Sequence, residues 1–267
     1  LKLAPAPAAG GDLRPAFESR TSFRPLAPGD ARRLLPHPLD PAVQLLEQCR
    51  ERFAGVFDYE ARLVKQERIG RTLGPVHDVQ AKFRKSPHSV YFKWKTPEEG
   101  RESIYVEGAA DNQILTHAPG LKRTFLGVQR LDPESPAAQR EHRHSIRAAG
   151  IGGIIDKLLV LWEYERKFQE TQVELTHVKV NGRPCFLVVA VHPNQDDGKF
   201  MYHTVKVYVD KEWMLPTRLE TYGYPRNSGA QAGDLLECYT YLDLRLNPGL
   251  TDMDFSTRNP DYSFGRF

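Results

Sequence analysis

The chain has 267 residues, of which 40% are hydrophobic, enough to build one large core or two small ones. Its formal net charge is +3, with 37 basic and 34 acidic side chains scattered rather than blocked, so composition gives no support for nucleic-acid binding. No apolar run of about eighteen residues occurs, which excludes a spanning helix.

Residues 1–38 are rich in Pro, Ala, Gly and Arg and lack periodicity, which predicts a flexible arm ahead of a single domain over 39–267. Leu1–Pro5 lack the apolar core of a signal peptide, so an export signal would have been cleaved ahead of Leu1. Asp40 and Pro41 predict a helix start, with Asp as N-cap, and Val43, Leu45, Leu46, Cys49 and Phe53 make an apolar stripe ending at Gly55.

The stretch Phe57–Val106 organises the rest. Tyr59, Ala61 and Leu63, then Val79, Ala81 and Phe83, then Val90, Phe92 and Trp94, then Ile104 and Val106 alternate with polar residues between Gly and Pro turns. Period two in short runs predicts antiparallel strands with one covered face. Glu60, Arg62, Lys65, Lys82, Arg84, Lys93 and Glu102 are expected on the wet face. The covered aromatic face needs either a helix or a ligand upon it. Further strands are expected over 113–117 and 122–126. Residues 127–145 form a long polar connection of the kind that is functional or mobile.

Ile151, Ile154, Ile155, Leu158, Leu159 and Trp162 recur at helical spacing behind Gly150, Gly152 and Gly153, which predicts the main covering helix. Those glycines serve either as a soft hinge or for close packing. Strands follow over 173–180 and 185–191 around an Asn181–Gly182 turn, then 200–209, 215–222 and 235–246. The plan is α+β: a strongly curved antiparallel half-barrel of roughly ten strands with helices packed in its concave face. Cys49, Cys185 and Cys238 lack CxxC spacing, against a zinc or redox centre. Cys185 and Cys238 either pair or stay reduced in the core, the commoner fate of buried Cys.

Order and spacing across residues 41–256 resemble the LolA-like superfamily of periplasmic outer-membrane-lipoprotein carriers. Arg84-Lys85-Ser86-Pro87 leading to Phe92 and Trp94 is similar to the carriers' basic-Pro turn and aromatic strand. Pro97, residues 103–106 and Glu107-Gly108 resemble their next hairpin. Val207-Tyr208-Val209-Asp210 with Leu215-Pro216 and Leu219-Glu220 resembles a later unit. Lys65-Gln66-Glu67-Arg68, Gly74-Pro75, Ser89-Val90-Tyr91, Tyr239-Thr240-Tyr241 and Asn247-Pro248-Gly249-Leu250 resemble a bacterial family called domain of unknown function fifteen seventy-one, which has no established activity.

The resemblance implies an exported, periplasmic binding protein for an acyl chain, lipid or lipoprotein. Its cavity would be lined by Phe83, Val90, Phe92, Trp94, Ile104, Val106, Ile155, Leu159 and Trp162, under a lid over 118–164. Gly150, Gly152 and Gly153 would hinge that lid, and Arg84 or Lys85 would hold it, although Ser86 separates them from the Pro. The same stripes also read as ordinary core, which leaves an envelope interaction or sensor protein with a filled core as the second reading. The implied partners are a lipid or acylated protein, or an envelope protein, with no cofactor.

Other candidates carry less. His142 and His144 beside Glu141 lack a third metal ligand and read as a solvated loop. Glu60 and Glu67 lie about 23 Å apart on opposite strand faces and cannot share a substrate. No hydrolase, metalloprotease or nucleotide motif is present, so a hydrolase is the weakest reading. Arg101, Lys122 and Arg123 read as solubilising charges or as attractors of acidic headgroups.

Overall fold

A computed structural model describes residues 36–120, 125–193, 198–226 and 233–264. Helix α1 spans Asp40–Ala54, with Pro41 in its first turn and Ala42, Val43, Leu45, Leu46 and Cys49 buried at i, i+3, i+4 spacing. Leu39, not Asp40, is the N-cap residue. Asp40 instead accepts a 2.8 Å hydrogen bond from the His37 backbone N–H. His37 and Leu39 are buried, and the His37 ring bonds the Phe168 carbonyl at 2.7 Å. The packed chain therefore starts before residue 38, where the arm was expected to end. Residues 1–35 of that arm lie outside the described residues.

Among the described residues, twelve strands form one antiparallel sheet. They are β1 (Asp58–Ile69), β2 (Thr72–Leu73), β3 (His77–Arg84), β4 (Ser89–Thr96), β5 (Glu102–Val106), β6 (Ile114–His117), β7 (Gln129–Leu131), β8 (Gln172–Val180), β9 (Arg183–Val191), β10 (Thr204–Asp210), β11 (Leu215–Tyr222) and β12 (Leu235–Leu246). A short helix α2 (Pro136–Gln139) and the long helix α3 (Ile151–Glu165) lie between β7 and β8. The strand order is β7-β6-β5-β4-β3-β1-β12-β11-β10-β9-β8, with β2 on β1, so the sheet is open, with β7 and β8 at its edges. Asn181 and Gly182 both take positive φ in the tight turn between β8 and β9, as a two-residue hairpin demands. Phe200–His203, expected within a strand, precede β10. The expected strand at 122–126 falls largely on residues outside those described.

Register fixes the faces. Tyr59 stands opposite Phe83, Phe83 opposite Val90, and Val90 opposite Tyr105. Leu63, Val79 and Trp94 form a second such row. These side chains join α1 and α3 in the main core, together with Val188, Val207 and Leu219 from the second half. Two expectations fail here. Tyr91 pairs with Ile104, so Ile104 lies on the opposite face, where Val106 also packs, against Phe255 and Phe264 of the C-terminal segment. Both faces of β5 are covered, so its sequence has no alternation from which a face can be read. Lys65 shares the parity of Tyr59 and Leu63 and is buried on the covered face rather than wet.

Glu102, also expected wet, is fully buried beneath the C-terminal segment. It accepts from the Ser263 N–H at 2.7 Å and the Tyr91 hydroxyl at 3.2 Å, and lies 3.1 Å from the His117 ring and from the Lys93 ammonium. Buried carboxylates persist when paired and hydrogen-bonded in this way. The three cysteines are free. Cys185 on β9 and Cys238 on β12 are three strand spacings apart, about 14 Å, too far for a disulfide.

Candidate functional site

The covering layer and the sheet do not fill the space between them. Among the described residues the two larger spaces, of about 770 and 440 Å³, both lie against the entry of α3. Ala148, Ala149, Gly153, Lys157 and Met201 line both, so the bend into α3 is their common wall. Each volume falls within the range of small-molecule sites.

The bend is tightly fitted. The Tyr59 hydroxyl oxygen accepts from the Ile151 N–H at 2.8 Å, satisfying one orphan donor of the helix start. Gly150 has φ +106°, and a methyl group on it would lie 2.5 Å from that hydroxyl. One on Gly153 would lie 2.0 Å from the Ala148 carbonyl oxygen, and one on Gly152 would lie 2.7 Å from the Phe53 ring. Close approach explains these glycines. Gly153→Ala is therefore expected to destabilise by about 1–3 kcal/mol through overpacking, read as a drop in melting temperature. A soft hinge predicts the opposite sign, since Ala favours a helix over Gly by about 1 kcal/mol.

The expected cavity residues divide by location. Phe83 and Ile155 line the larger cavity, Phe92 and Trp94 the smaller. Val90, Leu159 and Trp162 are buried in the main core and border neither, while Ile104 and Val106 lie on the other face. Gly152 and Gly153 border the larger space, Gly150 and Gly153 the smaller. Arg84 and Lys85 stand at the larger cavity, but Arg84 pairs with Asp252 at 2.6 Å and Lys85 donates to the Ala54 carbonyl at 3.3 Å.

The smaller cavity has a charged end that sequence reading missed. Glu67 on β1 and Glu237 on β12 are direct cross-strand partners, both buried. Like charges placed so repel, and the structure surrounds them with cations. Glu67 lies 2.6 Å from the Lys65 ammonium and accepts from the Tyr239 hydroxyl and, at 3.1 Å, from the Arg143 N–H. Glu237 lies 3.0 Å from the Lys157 ammonium, accepts from the Tyr202 hydroxyl at 2.9 Å, and meets the His144 ring. His142 stands 2.9 Å from Lys65, and His144 stands 2.9 Å from Lys157.

Burial opposes charge on both carboxylates, yet the Lys65 charge and the His142 and Tyr239 bonds hold Glu67 well below the usual range. His144 and Lys157 likewise overcome burial and hold Glu237 at about 2. Burial, then the Lys65 charge, lowers His142. Burial and the two carboxylates push Tyr239 far up.

His142 and His144 are thus not a solvated loop. With Arg143, whose guanidinium also donates to the Arg68 carbonyl at 3.0 Å, they clamp the 132–149 connection across the sheet. That connection supplies Pro133, Ala138 and Ile146 to the wall of the smaller cavity. The alternation of the two histidines around Arg143 was visible in sequence; their carboxylate partners, one on each central strand, were not. Among the described residues no group of three or more His, Cys, Asp or Glu is placed to hold a metal. No described helix is long and apolar enough to cross a membrane.

No curated protein matches the chain. Among solved structures it is similar to the lipoprotein LppX of Mycobacterium tuberculosis, at 11% identity and a TM-score of 0.46, covering 79% of this chain and 98% of that one. It is also similar to LprF of Mycobacterium bovis, at 11% identity and 0.43, covering 81% and 97%. A LolA superfamily protein of Nitrosomonas europaea matches at 12% identity and 0.33, covering 80% and 96%. A family model described as a protein of unknown function, DUF1571, matches residues 56–264, and the chain belongs to that family.

Proposed function

We propose that the chain is an exported binding protein that carries or senses an acyl chain, a lipid or a lipoprotein. The observation that supports this reading is the unfilled space between the helical layer and the sheet, walled largely by apolar side chains such as Phe83, Ile155, Phe92 and Trp94. Burying a chain there gains about 0.8 kcal/mol per methylene before ordering costs. A second reading, contact with an envelope protein, is favoured by the exposed Phe57, Val160 and Met201 around the larger cavity. An acylated partner satisfies both, its chain in the cavity and its surface on that rim.

Native mass spectrometry of protein purified from its own source tests the carrier reading. A bound mass that organic extraction removes, and that added lipid restores, is expected. Apoprotein alone, with no uptake of a fluorescent hydrophobic probe, leaves the interaction protein.

A further inference from the structure

We propose that the mouth of the larger cavity docks on an anionic lipid bilayer, with Phe57, Val160 and Met201 entering the layer between headgroups and acyl chains. The inference rests on the carrier reading above and names the surface at which that carrier loads.

Three elements bring exposed apolar side chains to this one mouth. Phe57 lies in the link between α1 and β1, Val160 on α3, and Met201 ahead of β10, and all three border the cavity. They are 67, 74 and 64% exposed. Tyr164, one turn beyond Val160 on the same helix face, is exposed as well. Single exposed apolar residues are ordinary. Three that converge on the opening of an apolar cavity form a patch, and such patches mark interaction sites. Phe53, Phe83 and Ile155 continue the apolar wall inward.

The charges round the mouth decide the partner. Arg50, Arg84, Lys85, Arg147 and Lys157 border the cavity, against Asp156 as the bordering carboxylate. Glu237 neutralises Lys157 from 3.0 Å, and Asp252 pairs with Arg84 at 2.6 Å. Arg50 has a loose 3.7 Å contact with Glu47 along α1, in which both side chains are half exposed. Lys85 and Arg147 are exposed and have no carboxylate partner among the described residues. Lys85 donates to the Ala54 carbonyl at 3.3 Å, and Arg147 lies 5.9 Å from the Tyr105 ring centre. Their two charges against Asp156 leave the rim positive. Exposed cations beside exposed apolar side chains match the two layers of an acidic bilayer, phosphates outside and chains beneath. Such a bilayer also holds an apolar ligand in a phase the cavity can meet. Loading across water would instead expose every methylene of the chain to solvent on the way. A folded protein surface offers the charge and the contact but not that reservoir.

The test is flotation of the native protein with vesicles of equal parts phosphatidylglycerol and phosphatidylcholine, against phosphatidylcholine alone. Partition to the acidic vesicles should be at least about fivefold stronger, the effect of one unmatched cation at such a surface, and should fall as salt is raised. Phe57→Ser with Val160→Ser, confirmed folded by a melting curve, should lose most of the binding. Lys85→Gln with Arg147→Gln should lose the acidic preference. Leu175→Ser removes an exposed apolar residue of β8 that does not border the cavity, and should change neither. No flotation with either vesicle, equal partition to both, or binding unchanged when Phe57 and Val160 are replaced overturns the inference; where nothing floats, the rim falls to a protein partner. Uptake of a fluorescent fatty acid from solution, without vesicles, tests the carrier reading separately. Uptake without flotation retains that reading. Flotation without uptake removes it and, with it, the loading role of the docked face.

Discussion

Glu237→Ala is expected to cost about 3–5 kcal/mol, the scale of breaking a buried ion pair from one side. The substitution strands Lys157, Tyr202 and His144 around an empty position in the core. Glu237→Gln keeps the shape and acceptor while removing the charge, so it should cost less. Chemical denaturation checks both, and equal, small losses would show that the network contributes no stability.

The same network sets an acid limit. Both carboxylates titrate lower in the folded protein than in the unfolded chain, so their contribution is complete above the ordinary carboxylate pKa and is lost as pH falls toward about 2 for Glu237. His142 acts at a higher pH. Its folded pKa is lowered, so the unfolded chain takes up the proton first and stability begins to decline below the ordinary histidine pKa of about 6.5. The groups facing it are Lys65 and Glu67 on β1, His77 on β3, Arg101 ahead of β5, and Glu141 on its own connection. A shallow loss beginning below about pH 6.5, then a steep one below the ordinary carboxylate range of about 4.5, is expected in a melting-temperature series. His142→Asn should weaken the shallow limb without abolishing it, because burial also lowers His77, His88 and His203.

Trp94→Asp is the second large effect. Trp94 is 3% exposed on the covered face, with its indole N–H donating to His77 at 3.1 Å and Arg101 over its ring. An unpaired carboxylate there should prevent stable folding, at more than about 4 kcal/mol. Lys95→Asp, on the opposite face and exposed, is the tolerated control. Lys93 is unsuitable despite its parity. It neutralises buried Glu102 from 3.1 Å, so Lys93→Asp sets two anions together and should itself cost about 1–3 kcal/mol. Soluble yield and circular dichroism separate the three variants, and similar behaviour of Trp94→Asp and Lys95→Asp would refute the facing.

Those residues show where sequence was readable. Helix α3 was legible because its six apolar positions repeat at helical spacing on one face, all buried in the structure. The hairpin at Asn181–Gly182 was legible because the turn needs positive φ twice. Lys65 was misplaced because charge was weighted above parity, when strand parity already put it beside Leu63. Ile104 and Val106 were misplaced because a second apolar layer, the C-terminal segment, covers the other face of β5. The clamp by His142 and His144 was illegible because its partners are set by long-range register, Glu67 against Glu237, which no local pattern encodes.

The pairing of β1 with β12 carries a consequence for assembly. It is the seam between the two halves of the sheet, and the Tyr239–Glu67 bond across it joins residues 172 positions apart. A contact of that span has a high loop-closure cost and contributes only after most of the chain is present. Until β12 arrives, the β1 side facing it is an open edge. The charged residues Lys65 and Glu67 near the end of that edge discourage pairing with a wrong strand, as inward charges do on permanent edges. The pair that locks the finished fold thus also guards the incomplete one.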